Sequence, residues 1–353
     1  MGDFFEFLKE NKEMVDSLIR KHFPEKWDDK YLEHLFGKPT YVYDSDALTK
    51  SLADPIWDFL NRGGKRWRPA LFLLLVEALG GDLEKIKDIA VIPELVHNGS
   101  IMVDDVEDLG EMRRGKPCTH KIFGVDVAVN AANEMYYMPL MVLIKNTSNL
   151  DDKTRLRMYD IYSQEMINIG AGQGMDIWWH KGKADVSEDH YLQMCSYKTG
   201  TLARMAARLA VAASNGSDEQ EDKIGKIAEA FGVAFQIQDD VLSASSKDFA
   251  DQKGYGDDIT EGKRSLMVIH ALNNASEDDR KELLSILDSH TREKERIDKA
   301  IEILNKTGAV EYSKKRAKEI MAKAWNDANH LIPESEAKDK LKSLVDYLIE
   351  REI

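Results

Sequence analysis

The stretch Leu95-Val96-His97-Asn98-Gly99-Ser100-Ile101-Met102-Val103-Asp104-Asp105-Val106-Glu107-Asp108 decides how this chain is read. Its apolar positions recur at helical spacing, and it ends in acids. Residues four apart share a helical face, so Asp104 and Asp108 aim two carboxylates into the same space. His97, Ile101 and Asp104 share a face, and the apolar run over 95–103 puts the acids at the end of a buried helix. Such a pair is costly unless something positive lies between its members. A hard divalent cation with oxygen ligands is the natural occupant. A solvated acidic helix end is the commoner fate of acids in general, and the apolar setting argues against it here.

Working outward, the same chemistry recurs. Upstream, Gly63-Gly64-Lys65-Arg66-Trp67-Arg68-Pro69 is a cationic cluster on a glycine turn, and downstream Arg113-Arg114 follows the acids within one short loop. Guanidinium forks bind phosphate oxygens two at a time. In the second half, Phe235-Gln236-Ile237-Gln238-Asp239-Asp240 again ends an apolar helix in paired acids. A loop then runs from Lys253 through Gly256-Asp257-Asp258-Ile259 to Gly262-Lys263. The two acid pairs, each followed by basic residues, read as two jaws of one site for a magnesium-bound polyphosphate.

Helical spacing dominates elsewhere and strand-like alternation is almost absent. The expected fold is all-α, a single large helical bundle around a central cavity, with both acid motifs facing across its mouth. The 353 residues include only 8 Pro and show no linker, repeat or low-complexity tract. One domain over 1–353 is therefore expected, with 1–44 as an N-terminal helical extension and 264–353 as C-terminal helices. Phe4 to Phe23 is amphipathic and 24–44 reads as irregular. A helix capped by Asp44-Ser45 ends at Gly63-Gly64, and Pro69 opens the next, which Gly80-Gly81 stops. A long element continues past Pro93 to Asp108 or Leu109, and 110–118 reads as loop. Helices follow over 126–144, over 151–178 despite Gly170, Gly172 and Gly174, and over 187–213. Ser217-Asp218-Glu219-Gln220 has the spacing of a capping box and opens a helix ending near Asp240. Residues 244–262 read as a polar loop.

Composition excludes several classes. With 63 acids against 49 bases the net charge is −14, and no basic stripe supports nucleic-acid binding. An anionic substrate remains compatible, because the charge of a site and that of a molecule differ. Cys118 and Cys195 are too few for a disulfide scaffold and fit a reducing compartment. There is no secretory leader pattern, and no apolar run reaches the ~20 residues of a membrane span. The expected location is cytoplasmic.

The series GGKRxRP, DDxxD, RRG, QxxD, KT, FQxxDD and K…GDDI…GK, in that order, is similar to the trans-isoprenyl diphosphate synthases, or polyprenyl synthetases. Within them the chain looks like a geranylgeranyl diphosphate synthase. The resemblance implies the isoprenoid-synthase fold, a homodimer and three magnesium ions per active site. It also implies a prenyltransferase that condenses isopentenyl diphosphate with an allylic diphosphate by ionisation, condensation and elimination, giving an all-trans prenyl diphosphate. On this resemblance Asp104 and Asp108, supported by Asp105, hold magnesium on the allylic diphosphate, and Asp239 holds a third ion. Arg113 faces the allylic diphosphate, which Lys198, Lys253 and Lys263 bind. Gln236 lies beside that diphosphate, Thr199 completes the KT pair, and Gln173 and Asp176 match the QxxD element. Arg114, Lys65, Arg68 and His97 form the isopentenyl diphosphate pocket. His97 alone would read as a satisfied core histidine.

The chain departs from the family pattern at Ser243, where the second motif usually has a third acid. Asp239-Asp240-Val241-Leu242-Ser243 also fits the first half of the second motif of class I terpene cyclases, but Lys247 stands where their last acid belongs and Asp248 is out of register. A cyclase has no need of a second diphosphate pocket. A non-catalytic subunit would usually lack an acid of the first motif, which is complete here. Gly99 and Ser100, one turn before the acids, are expected to line the mouth of the product tunnel, and Met135, Tyr136 and Tyr137 on the next helix either form its floor or simply pack in the core. The small mouth residues favour a twenty-carbon product, with a longer chain second and farnesyl diphosphate after it.

Overall fold

The computed structural model describes residues 2–182, 185–245 and 256–350, and among them the regular structure is almost all helix. Helix α1 (Gly2–His22) buries Phe4, Phe7, Leu8, Val15, Leu18 and Ile19, as their spacing predicts. The stretch expected to be irregular, 24–44, contains α2 (Asp29–Phe36). The Asp28 carboxylate accepts from the Tyr31 amide, and Leu32 and Leu35 reach the core. The next helical stretch starts at Ser45–Leu48 under an Asp44 cap, widens into a π turn at Thr49–Ala53 and continues as α3 (Asp54–Asn61). The wide turn precedes Pro55, which has no amide hydrogen to extend an ordinary ladder.

Helix α4 (Trp67–Ala78) is apolar on all sides and correspondingly deep, with Arg68 through Val76 buried. Helix α5 (Val91–Glu107) carries the decisive stretch. Pro93 falls in its first turn, where no backbone donor is needed, so the proline opens this helix without kinking it. The helix stops at Glu107 and leaves Asp108 as its cap. The loop expected over 110–118 contains a small antiparallel ribbon pairing Met112 with Pro117 and Arg113 with Lys116, which fixes the position of the arginine pair. The single helix expected over 126–144 is broken: α6 (Val125–Tyr137) ends in a 3-10 turn at Pro139, and Met141–Ile144 follows.

Helix α7 (Asp152–His180) begins under an Asp151 cap. The helix expected over 187–213 is divided into α8 (Glu188–Cys195) and α9 (Thr201–Ala213) by a π turn, Ser196–Gly200. Helix α10 (Asp218–Ser245) opens on the expected capping box: Ser217 Oγ accepts from the Gln220 amide and Gln220 Oε1 from the Ser217 amide. Helix α9 packs against α4, α7 and α10.

The C-terminal helices are α11 (Leu266–Asn274), α12 (Glu277–Asp288), α13 (Lys294–Lys306), α14 (Ala309–Ala328) and α15 (Glu336–Glu350). Helix α14 lies along α10, and α15 lies against α4 and α1. A second apolar cluster, including Ile259, Leu283, Ile286 and Ile303, meets α10 through Val241. These helices therefore buttress the segment that presents the second acid pair. No described helix is long and apolar enough to cross a membrane.

Candidate active site

A cavity of about 1440 Å³ lies between α4, α5, α6, α7, α9 and α10. Asp104 of α5 and Asp239 of α10 both line it, so the two acid motifs face one space. Arg113, Lys198, Thr199 and Gln236 share that wall, as do Lys65, Arg68, His97 and Arg114. Asp108 and Lys263 stand outside the lining but touch each other, and Lys253 lies outside the described residues.

The first acid motif is held by cations from distant parts of the chain. Asp104 Oδ1 accepts from Lys198 Nζ at 3.0 Å and from Gln173 Nε2 at 2.9 Å. Gln173 Nε2 also donates to Glu107 at 2.7 Å, and Lys198 to Asp176. Lys263 Nζ lies 3.7 Å from Asp108 Oδ2 and 3.5 Å from Asp258 Oδ1, and pairs with Glu261. Burial alone would raise Asp104, but the charges of Lys198 and Lys263 hold it well below the usual carboxylate range. Asp108 goes the other way: burial, aided by the like charge of Asp104, pushes it up to about 7. Burial would lower Lys198, yet Asp104 and Asp176 keep it above an ordinary lysine.

The acids suit a divalent ion that arrives with a phosphate. Asp108 Oδ1 is buried without a hydrogen-bond partner, an arrangement that is costly and rare unless a ligand meets it. Among the described residues no three His, Cys, Asp or Glu side chains gather into a cage for a metal ion. Magnesium does not use such cages; it takes one or two carboxylates, several waters and substrate phosphate oxygens.

Asp105, expected to support the metal ligands, is turned away from them. It is 1% exposed and accepts from Arg113 Nε at 2.7 Å and Nη2 at 2.5 Å. A residue next to Asp104 on a helix points about 100° away from it, which accounts for the difference. Arg113 thus lines the cavity while anchored from behind, 4.0 Å from Asp104 Oδ2.

The basic wall is built on α4 and the ribbon. Arg114 Nη1 donates to the Gly63 carbonyl at 2.5 Å and to Asn98 Oδ1 at 3.2 Å, with its guanidinium over Phe59. Arg68 lies over Trp67, and its buried Nε has no hydrogen-bond partner. Burial lowers Arg68 and Arg114 to about 10, so both remain charged. Burial, then the neighbouring Arg68 and Arg114, drive His97 well below 6.5 and keep it neutral. Arg66, inside the same motif, serves the framework: it pairs with Asp16 of α1 at 2.8 Å and Glu94 of α5 at 2.9 Å. The N-terminal helix thereby helps to fix the GGKRWRP turn.

On α10, Gln236 Oε1 accepts from Thr199 Oγ1 of the π turn at 2.8 Å, and Gln236 Nε2 donates to Asp240 Oδ1 at 2.7 Å. Tyr191 donates to Asp240 Oδ2 at 2.8 Å. Burial and then the charge of Asp258 push Asp240 up to about 7. Ser243, in the position of the usual third acid, hydrogen-bonds Asp258. Asp258 belongs to a one-turn helix, Asp257–Thr260, inside the stretch expected to be a loop, and its carboxylate stands beside the place where the motif lacks one. Sequence spacing could not reveal this, because the contact depends on how the loop returns.

The tunnel residues divide. Ser100, Tyr136 and Tyr137 line the cavity, whereas Gly99 and Met135 do not. Gly99 faces α6, where a Cβ would come within 2.9 Å of the Ala132 carbonyl oxygen and of Met135 Cβ. Met135 is 1% exposed and belongs to the core. The sequence reading also passed over Trp67 and Phe235, stacked in the cavity wall with ring centroids 6.0 Å apart. Both sit inside quoted motifs, and their apolar character beside so many charges was the available signal.

A family model of polyprenyl synthetases matches residues 49–304. The chain is 31% identical over 352 residues to a short chain isoprenyl diphosphate synthase of Methanothermobacter thermautotrophicus, covering 100% of both chains. It is 32% identical over 295 residues to a geranylgeranyl pyrophosphate synthase of Dictyostelium discoideum, covering 84% of this chain and 93% of that one. Its structure resembles the crystal structure of geranylgeranyl pyrophosphate synthetase from Pyrococcus horikoshii, with a TM-score of 0.84 at 30% identity, covering 99% and 98% of the two chains.

Proposed function

The chain belongs to the polyprenyl synthetase family and is a trans-prenyltransferase that makes prenyl diphosphates, and we propose that its product is all-trans geranylgeranyl diphosphate. Isopentenyl diphosphate and an allylic prenyl diphosphate are the substrates in this reading. The observation that carries it is the sharing of one cavity by the acids of α5 and α10 and by two groups of cations.

In this reading Asp104, Asp108 and Asp239 hold magnesium, three ions in all, which neutralises charge gathering on the departing diphosphate. Lys198, Lys263 and Arg113 donate hydrogen bonds to the same phosphate oxygens. They stabilise the leaving group most strongly as its carbon–oxygen bond breaks, when the charge is greatest. Lys65, Arg68 and Arg114 hold the diphosphate of the second substrate, and the unpartnered Arg68 Nε gains an acceptor there. The double bond of that substrate attacks the allylic cation, and the resulting carbocation loses a proton to the departed diphosphate, which closes the new double bond. Apolar walls around Trp67 and Phe235 keep water from capturing the cation.

Chain length follows from the cavity beyond the acids. Ser100 leaves room for a growing chain, which would run along the wall that Tyr136 and Tyr137 share. We extend the reading to a homodimer. Leu156, Ile167 and Trp178 are spaced eleven apart (167 minus 156, 178 minus 167), share one face of α7 and are 63%, 66% and 65% exposed. A second copy would cover that apolar strip. The test is incubation with labelled isopentenyl diphosphate, magnesium and each allylic primer, followed by product analysis. A twenty-carbon diphosphate is expected; a hydrocarbon, or no use of isopentenyl diphosphate, would refute the reading.

A further inference from the structure

Lys198 does not sit on an ordinary helix. It belongs to the five-residue π turn Ser196–Gly200 between α8 and α9. Such turns are rare and have to be maintained by their surroundings. Here the backbone is pinched from both sides. A Cβ on Gly172 of α7 would fall 2.3 Å from the Lys198 amide nitrogen, and one on Gly232 of α10 would fall 2.6 Å from Gly200 Cα.

The first side chain of the turn is also tied down. Ser196 Oγ donates to Glu229 Oε1 at 2.6 Å, and Arg204 Nη1 grips Glu229 Oε2 at 2.6 Å. Arg204 Nε and Nη2 hold the fully buried Glu165 at 2.9 and 2.6 Å. Arg208 joins Glu165 to Glu221, so the chain of charges crosses α7, α9 and α10. None of Ser196, Glu229, Arg204 and Glu165 lines the cavity. Buried ion pairs are poor sources of net stability compared with apolar packing, so their presence here asks for another role.

We propose that the chain Ser196–Glu229–Arg204–Glu165 is a positioning device: it sets the π turn and thereby the ammonium of Lys198 against Asp104 and the bound diphosphate. This rests on the reading of Lys198 as a diphosphate ligand. Displacing a reacting group by about 1 Å can cost ~100-fold in rate, so a small relaxation of the turn is enough to matter.

The experiment compares Ser196→Ala, Glu229→Gln and Ser196→Thr with Lys198→Ala, measuring Tm, kcat and KM for each substrate. Ser196→Ala and Glu229→Gln should lose kcat by about 10- to 100-fold at temperatures well below their Tm. KM for isopentenyl diphosphate should not change, because Lys65, Arg68 and Arg114 are on other elements, and Ser196→Thr should restore kcat. Wild-type kcat in both variants beside an inactive Lys198→Ala would overturn the proposal. So would a parallel rise in both KM values, which is the mark of general distortion. An active Lys198→Ala would instead overturn the reading beneath it, and the proposal with it.

Discussion

Lys263 Nζ lies 3.7 Å from Asp108 Oδ2, so the loop after the second acid pair reaches back to the last acid of the first. Without that ammonium, Asp108 would face Asp104 with less compensation, in a setting that already pushes it up to about 7 through burial. Lys263→Ala should lower the Tm of metal-free protein. It should also raise KM for the allylic diphosphate by about tenfold, the worth of one charge-assisted hydrogen bond. Kinetics with the allylic substrate varied check this, and an unchanged KM would count against a phosphate contact.

Asp105 and Asp104 are neighbours with different work. Asp105→Ala breaks a buried pair with Arg113 and should destabilise the protein by about 3–5 kcal/mol. The magnesium concentration for half-maximal activity should stay where it is, because Asp105 faces away from the ion site. Denaturant melts and a magnesium titration separate the two effects.

Adjacent positions on α5 should also part company over product length. Ser100 lines the cavity, so Ser100→Phe should shorten the product to fifteen carbons with the fold intact. Gly99 instead meets the α6 backbone, so Gly99→Ala should lower Tm and leave the product distribution unchanged. Chromatography of the dephosphorylated products reads both.

Ser243→Asp would set a second carboxylate against Asp258. Like charges at that distance repel, so metal-free Tm should fall. Magnesium with inorganic diphosphate should restore it at a lower metal concentration than in the wild type. Identical melting curves across the titration would show that Ser243 has no bearing on the metal.

His97 makes stability depend on pH. Its folded-state value lies well below 6.5, under the influence of burial, Arg68 and Arg114, while the unfolded chain titrates near 6.5. Below pH 6.5 the unfolded state binds the proton first, so stability falls on acidification and is unaffected above that point. His97→Gln should flatten the decline of Tm between about pH 6.5 and 5. An unchanged slope would place the effect on other groups.

Much of the site was legible because its ligands come in short motifs whose helical spacing sets their direction. Asp104, Arg68, Arg114 and Lys198 all reach one cavity, as their motif order implied. Side-chain direction within a motif was harder to read. Asp105 and Gly99 sit beside functional residues yet turn toward Arg113 and α6, a distinction of one helical step. Helix interruptions were missed where their cause is tertiary. The π turn at Ser196–Gly200 depends on glycines 172 and 232 and on Glu229, none of them local to it. The break before Met141 went unread as well, although its cause, Pro139, is local and stands openly in the sequence. The Ser243–Asp258 contact required knowing where the chain returns after residue 255.

The most direct test is incorporation of labelled isopentenyl diphosphate by Asp104→Ala and Asp239→Ala, each checked for wild-type folding. If the two acid motifs serve one magnesium–diphosphate site, each substitution alone abolishes incorporation. Wild-type incorporation by either folded variant would contradict the shared site.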